Sequence, residues 1–202
     1  MIYIYGSGGR GKLIKELLLR CKKRNRDITF IDDHKKKYKK TSYLIKNFKA
    51  KKDQLFIGIF DPKIQREKYA FFKKKLKQID NKPLIDPKAI IKSKVKLDKN
   101  VIILENTSIG PNTTIEKNVF IGSRVIINHD NKIGRFSTIG HGANIAGKVK
   151  VNQNCTIGIS SIIKQNIIVG KNVLIGSGSN VVKNCDPNSK YYGNPSKKHG
   201  KN

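Results

Sequence analysis

The stretch INHDNKIGRFSTIGHGANIAGKVK, residues 127–150, places His129 directly before Asp130. Imidazole is the side chain that titrates nearest neutrality, and a neighbouring carboxylate fixes its tautomer and makes it a better base. The pair has the composition of a general base for an amine or hydroxyl proton. Eighteen residues on stands Gly147, which would leave room beside the ring and bare a backbone N–H toward a reacting carbonyl. Without such surroundings a His-Asp dipeptide is a solvated bend. A second group lies near the start, where IYIYGSGGRGK brings Gly8, Gly9 and Arg10 into a Gly-rich turn. A strand, a Gly turn and a helix together offer backbone N–H groups and a helix dipole to an anion. The FIDD segment, with Asp32 and Asp33, follows about twenty residues later, the spacing at which an acidic side chain meets a ribose or base.

The elements that must position His129 follow from a six-residue period. An aliphatic residue recurs at every sixth position from Ile85 to Val181, seventeen times in succession. Such hexads are the signature of a parallel β-helix, in which each coil buries its apolar side chains against its neighbours. The first and third positions after each aliphatic residue are Gly, Asn or Asp in eleven of the seventeen hexads, and both are expected to bend with positive φ. The fourth position is small or β-branched, as at Thr107, Val119, Ser137, Ala143, Cys155 and Ser161, which suits a second inward site. Three hexads make an eighteen-residue triangular coil, the left-handed β-helix, an exception to right-handed crossovers. Residues eighteen apart should stack about 4.8 Å apart, so His129 falls between Pro111 and Gly147.

Residues 1–84 leave this frame. IYIYGSGGRGK reads as a strand entering a turn, KLIKELLLRCKKR as an amphipathic helix, ITFIDD and QLFIGIF as further strands, and PKIQREKYAFFKKKLKQI as a helix opened by Pro. Strands alternating with helices imply a small parallel α/β unit, a Rossmann-like half domain. The expected organisation is an α/β domain over 1–84 and a left-handed β-helix with a C-terminal tail over 85–202.

The net charge of +29 raises nucleic-acid binding, since Lys-rich surfaces release counterions from phosphate backbones. Its distribution argues against that. Residues 1–84 carry 25 Lys or Arg against 8 acidic residues and the remainder 18 against 6, so no basic tail is concentrated anywhere. The chain begins without a basic region before its apolar run and has no segment long enough to span a membrane. A cytoplasmic location, with neither nucleic acid nor membrane as partner, is expected. Cys21, Cys155 and Cys185 are an odd, scattered set without metal-ligand spacing, expected to be free thiols, and no metal is expected.

Across almost its whole length, through IYIYGSGGRGK, FIDD, INHDNKIGRFS, GANIAGKVKV and GNPSKK in that order, the chain resembles the hexapeptide-repeat acyltransferases of nucleotide-linked and sialic acid sugars. It is most similar to the UDP-4-amino-sugar N-acetyltransferases of the bacillosamine pathway and to the sialic acid O-acetyltransferase family.

The resemblance implies an acetyl-CoA-dependent transfer to the amine of a nucleotide-linked sugar by direct attack on the thioester. His129 would be the base and Asp130, where relatives usually carry Glu, its orienting neighbour. It implies a homotrimer with acetyl-CoA between subunits, contacted at the positions of Thr138, Gly147, Ile159 and Ser177. Relatives often carry His where Thr138 stands, and His141, three residues later, is a candidate replacement. The UDP-sugar would lie against Gly8, Gly9, Arg10, Asp32 and Asp33, with Gly58 bordering the nucleotide; Arg10 stands where relatives frequently show His. O-acetylation of a sialic acid or related sugar is the nearest alternative, and a non-catalytic β-helix for binding or assembly is the non-enzymatic one.

Overall fold

The aliphatic frame becomes three parallel sheets of six, six and five short strands, the three faces of a left-handed β-helix, with two further C-terminal strands extending the first sheet to eight. This computed structural model describes residues 1–202, which divide into two units, Met1–Leu84 and Ile85–Asn202. In the second unit each hexad contributes one two-residue strand and one bend, and strand partners are eighteen residues apart. On the first face Ile103, Ile121, Ile139, Ile157 and Ile175 pair in succession. The second face runs Ile91, Ile109, Ile127, Ile145, Ile163 and Val181, and the third Leu97, Ile115, Ile133, Val151 and Val169. From Ile103 onward these side chains are buried in one continuous core, each worth roughly 1.5–3 kcal/mol relative to exposure.

The two bend positions work differently from each other. Every third residue after an aliphatic position, from Lys94 to Gly178, has positive φ, and the set includes Lys94, Arg124, Phe136, Lys148 and Ser160 as well as Asn, Asp and Gly. Left-handed backbone costs such residues about 1 kcal/mol each, and inter-coil bonds offset it. At one corner Asn154 Nδ2 donates to Asn172 Oδ1 at 2.9 Å and Asn172 Nδ2 to Asn188 Oδ1 at 2.7 Å. The first position after the aliphatic residue does not have positive φ, contrary to expectation. Glycine stands there because the next coil is too close: a Cβ at Gly110, Gly122, Gly134, Gly140 or Gly158 would come within 2.4 to 2.7 Å of its backbone.

The fourth position points inward, with Thr107, Ser137, Ala143, Cys155 and Ser161 all buried. Its polar members donate to the adjacent coil: Thr107 Oγ1 to Gly122 O at 2.7 Å and Ser137 Oγ to Asn152 O at 3.1 Å. Cys155 and Cys185 are free thiols, and burial pushes each up to about 12. Strands Ser189–Tyr192 and Lys197–Lys201 form an antiparallel hairpin that ends the first sheet.

The first unit contains β1 (Ile2–Tyr5), α1 (Gly9–Arg20), β2 (Ile28–Ile31), α2 (Thr41–Asn47), β3 (Gln54–Ile57) and α3 (Pro62–Leu76). Its three strands form a parallel sheet ordered β2-β1-β3. Tyr3, Tyr5, Ile31, Leu44, Leu55, Ile57, Phe72 and Leu76 make its core. Helix α3 starts as its sequence predicts, with Asp61 Oδ1 accepting from Ile64 N at 2.9 Å and Pro62 in the first turn. Helix α2 is absent from the sequence reading. It is seven residues long, buries only Leu44 and has no side-chain cap of its own. Its first N–H is held from a distance by Asp33, a tertiary contact that local periodicity does not carry.

Candidate functional site

In the first unit the chain passes from β1 to β2 on one side and returns to β3 on the other. The carboxyl ends of β1 and β3 therefore flank a topological switch point, where open α/β sheets hold ligands. Helix α1 is seated tightly there: a Cβ on Gly58 would lie 2.7 Å from Gly11 Cα. Gly8 and Gly9 are different, since a Cβ at either would meet nothing within 4 Å. The start of α1 is thus uncrowded at these two positions, and the N-terminus of a helix is the end that receives anions.

Arg10 does not join them. Its side chain is buried, Nη1 donates to Ile59 O at 2.7 Å, and the guanidinium lies 5.0 Å from the centroid of the Phe60 ring. Burial pulls its pKa down to about 9, which leaves it charged at neutrality. In this position its charge braces the segment after β3.

Asp32 and Asp33 follow β2 and are both engaged by the protein. Asp32 Oδ2 accepts from Ser7 N at 3.1 Å and Ser7 Oγ at 2.5 Å, and Oδ1 from His34 N at 3.0 Å. Burial raises its pKa, but the Ser7 and His34 bonds more than offset that and hold the carboxyl below its usual range. Asp33 takes Thr41 N at 2.8 Å and Thr41 Oγ1 at 2.6 Å, with Tyr5 OH at 3.3 Å. Lys40 Nζ donates to the carbonyls of Asp32, Asp33 and Lys35 at 3.0, 3.1 and 3.0 Å, clamping the loop that carries both acids. These two carboxylates fix the rim of the crevice.

In the second unit His129 and Asp130 occupy the corner between the second and third faces. Asp130 has φ of 57°, and this left-handed bend turns its carboxylate back to the preceding ring. The His129 Nδ1 to Asp130 Oδ2 distance is 2.7 Å, and Asn112 Nδ2 donates to Asp130 Oδ1 at 3.2 Å from the coil before. These bonds hold the Asp130 carboxyl below its usual range. With Asp130 ionised and accepting from Nδ1–H, the Nε2 lone pair of His129 is left to act. The ring lies against Gly147, where a Cβ would come 2.6 Å from both Cε1 and Nε2. In the same coil Lys148 N donates to His129 O at 3.0 Å, whereas the Gly147 N–H has no backbone acceptor.

His141 stands at the corner between the first and second faces. Its Nδ1 accepts from Ser123 N at 3.0 Å, so a neutral ring carries its proton on Nε2. Ile159 and Ser177 follow at eighteen-residue intervals in the same column, with Ser160 N donating to His141 O at 2.9 Å and Gly178 N to Ile159 O at 2.8 Å. Three of the proposed coenzyme positions thus share one edge. Thr138 does not: it is 1% exposed, on the outer row of the first face between Phe120 and Thr156. Sequence reasoning also passed over Gly6, Gly11, Lys40, Ser123 and Phe60. Gly6, Gly8 and Gly11 stand at G-x-G-x-x-G spacing, a signal that would have found the tight seat of α1.

The model of the PglD N-terminal domain matches residues 1–72. No curated protein matches the sequence. Among solved structures, PerB from Caulobacter crescentus in complex with CoA and GDP-perosamine is similar over 98% of this chain and 97% of that one, with a TM-score of 0.89 and 20% identity. The acetyltransferase domain of PglB from Neisseria gonorrhoeae FA1090 in complex with acetyl coenzyme A has the same score and identity, covering 98% of each chain. WeeI from Acinetobacter baumannii AYE is 21% identical with a TM-score of 0.72, covering 98% of this chain and 99% of that one. The shared fold is a small α/β unit followed by a hexapeptide β-helix, in agreement with the resemblance drawn from the sequence.

Proposed function

We propose that the protein transfers the acetyl group of acetyl-CoA to the amine of a nucleotide-linked amino sugar. The observation that carries this reading is the His129–Asp130 pair set against Gly147, a braced base beside an unengaged N–H. The N-terminal match to the PglD domain and the likeness to folds solved with CoA, acetyl-CoA and GDP-perosamine support it.

The neutral sugar amine attacks the thioester carbonyl while His129 Nε2 accepts the proton the nitrogen must lose. The Gly147 N–H faces the developing oxyanion. Collapse of the tetrahedral adduct breaks the C–S bond, and the thiolate of CoA takes a proton from the imidazolium. Asp130 keeps the ring oriented throughout. No acyl-enzyme and no metal are needed. Gly8, Gly9 and Gly58 border the nucleotide, while His141, Ile159 and Ser177 line the coenzyme. We carry UDP forward as the nucleotide from the sequence resemblance, although PerB holds a GDP sugar.

His129 and His141 lie on different corners of the triangular coil, on either side of the second face. Between them runs an outward column in which Ile90, Ile126 and Ile162 are exposed, alternating with Ser108, Asn144 and Asn180. A homotrimer that covers this column and sets one copy's His129 corner beside another's His141 corner gives three shared sites. Light scattering that returns a monomer would remove the shared site. No helix is long and apolar enough to cross a membrane, and we place the reaction in the cytoplasm, where its acetyl-CoA donor is available. The decisive experiment incubates the protein with acetyl-CoA and UDP-, GDP-, dTDP- and CMP-linked amino sugars and follows thiol release. Release with an amino sugar and none with its N-acetylated product is expected; no release across the panel rejects the reading.

A further inference from the structure

We propose that Phe60 is the stacking surface for the base of the nucleotide; the inference rests on the nucleotide-sugar reading above. Phe60 is 60% exposed, whereas Tyr3, Tyr5, Phe56 and Phe72 of the same unit are buried. It follows β3 by three residues and so stands at the switch point, on the loop facing the Gly6–Gly9 turn across the ends of β1 and β3.

The ring is backed on one side by Arg10, and the backbone beyond it is fixed. Arg10 binds Ile59 O and sets its guanidinium 5.0 Å from the ring centroid. Asp61 caps α3 through Ile64 N at 2.9 Å, and Pro62 fixes the backbone behind it. An apolar ring left 60% exposed gains little from folding, but it is ready-made to cover a flat heteroaromatic base. This also gives Arg10 a task consistent with its burial: it backs the platform while the N-terminus of α1 takes the diphosphate. Stacking tolerates any base, so Phe60 supplies affinity and leaves the choice of base to groups at its edge. The larger purine gains more from it than the pyrimidine.

The test is isothermal titration of the full chain with UDP, GDP and inorganic pyrophosphate. Phe60→Ala should weaken UDP and GDP by about 5- to 150-fold, the usual worth of one base on an aromatic ring, with the larger loss for GDP. Pyrophosphate affinity, acetyl-CoA affinity and the thermal midpoint should not move, and Phe60→Trp should bind like the parent. Unchanged nucleotide affinity in Phe60→Ala overturns the platform while the nucleotide reading stands. A parent protein that binds neither UDP nor GDP removes both. A change of oligomeric state in Phe60→Ala with intact nucleotide affinity assigns the ring to assembly and likewise overturns the proposal.

Discussion

Gly147 lies so close beneath His129 that a Cβ on it would sit 2.6 Å from Nε2, the nitrogen assigned to take the proton. The relation makes a glycine eighteen residues away part of the reactive geometry. Gly147→Ala should swing the ring off Asp130 and lower turnover by about 10²-fold, the scale of a 1 Å misplacement. The circular dichroism of the β-helix should stay unchanged. Full turnover in this variant would show that the ring has no fixed working position.

Replacing His129 itself should cost more. His129→Ala is expected to reduce kcat about 10²- to 10⁴-fold with acetyl-CoA affinity preserved by calorimetry. Near-normal turnover at neutral pH sinks the assignment of His129 as base.

The second histidine should read out differently. In His141→Ala the Ser123 N–H loses its acceptor and the edge proposed to line the coenzyme loses its first member, so the KM for acetyl-CoA should rise about 5-fold, the scale of one hydrogen bond. Turnover at saturating acetyl-CoA should change little. A turnover loss exceeding that of His129→Ala would transfer the base role to His141.

Asp32 gives the first unit a pH dependence. Its folded pKa is depressed by the Ser7 and His34 bonds, so the stabilisation is present above the ordinary carboxyl pKa of about 4 and is lost as pH falls through the lower folded value. Asp32→Asn should destabilise the unit by roughly 1–3 kcal/mol at neutral pH and flatten the acid limb of its stability. Urea titrations at pH 7 and pH 3 measure both, and identical slopes in parent and variant would contradict the linkage.

Cys155 and Cys185, with thiols pushed up to about 12, should resist a disulfide reagent at pH 8 in the native state and react only on unfolding. Half-buried Cys21 should be the one thiol that reacts early. Three fast thiols in a stopped-flow trace would show that the inner column opens readily.

The β-helix was legible because its determinant is a strict period, and Ile103, Ile121 and Ile139 face inward for the reason the period gives. What the period could not distinguish was why glycine follows them: the coil-to-coil approach at Gly110 and Gly158 excludes a Cβ, a matter of neighbouring chains and not of dihedral preference. The stacking of Gly147 under His129 was readable by counting eighteen, and the bend at Asp130 by its residue type. The inward course of Arg10, the burial of Thr138 and the existence of α2 were not legible, for a common reason. A guanidinium turned inward to Ile59, a threonine buried on an outer row and a helix capped from Asp33 are tertiary facts that leave no trace in spacing.

The eighteen-residue register also limits how such a chain can change in length. Removing one residue from a bend would turn every later aliphatic side chain outward and carry Gly147 away from His129, whereas gaining or losing a whole coil preserves every stack beyond it. Variation in length of such a prism should therefore be quantised in complete turns, with smaller insertions confined to corners where a loop can bulge outward, and the His129 corner should keep its neighbours however long the prism grows.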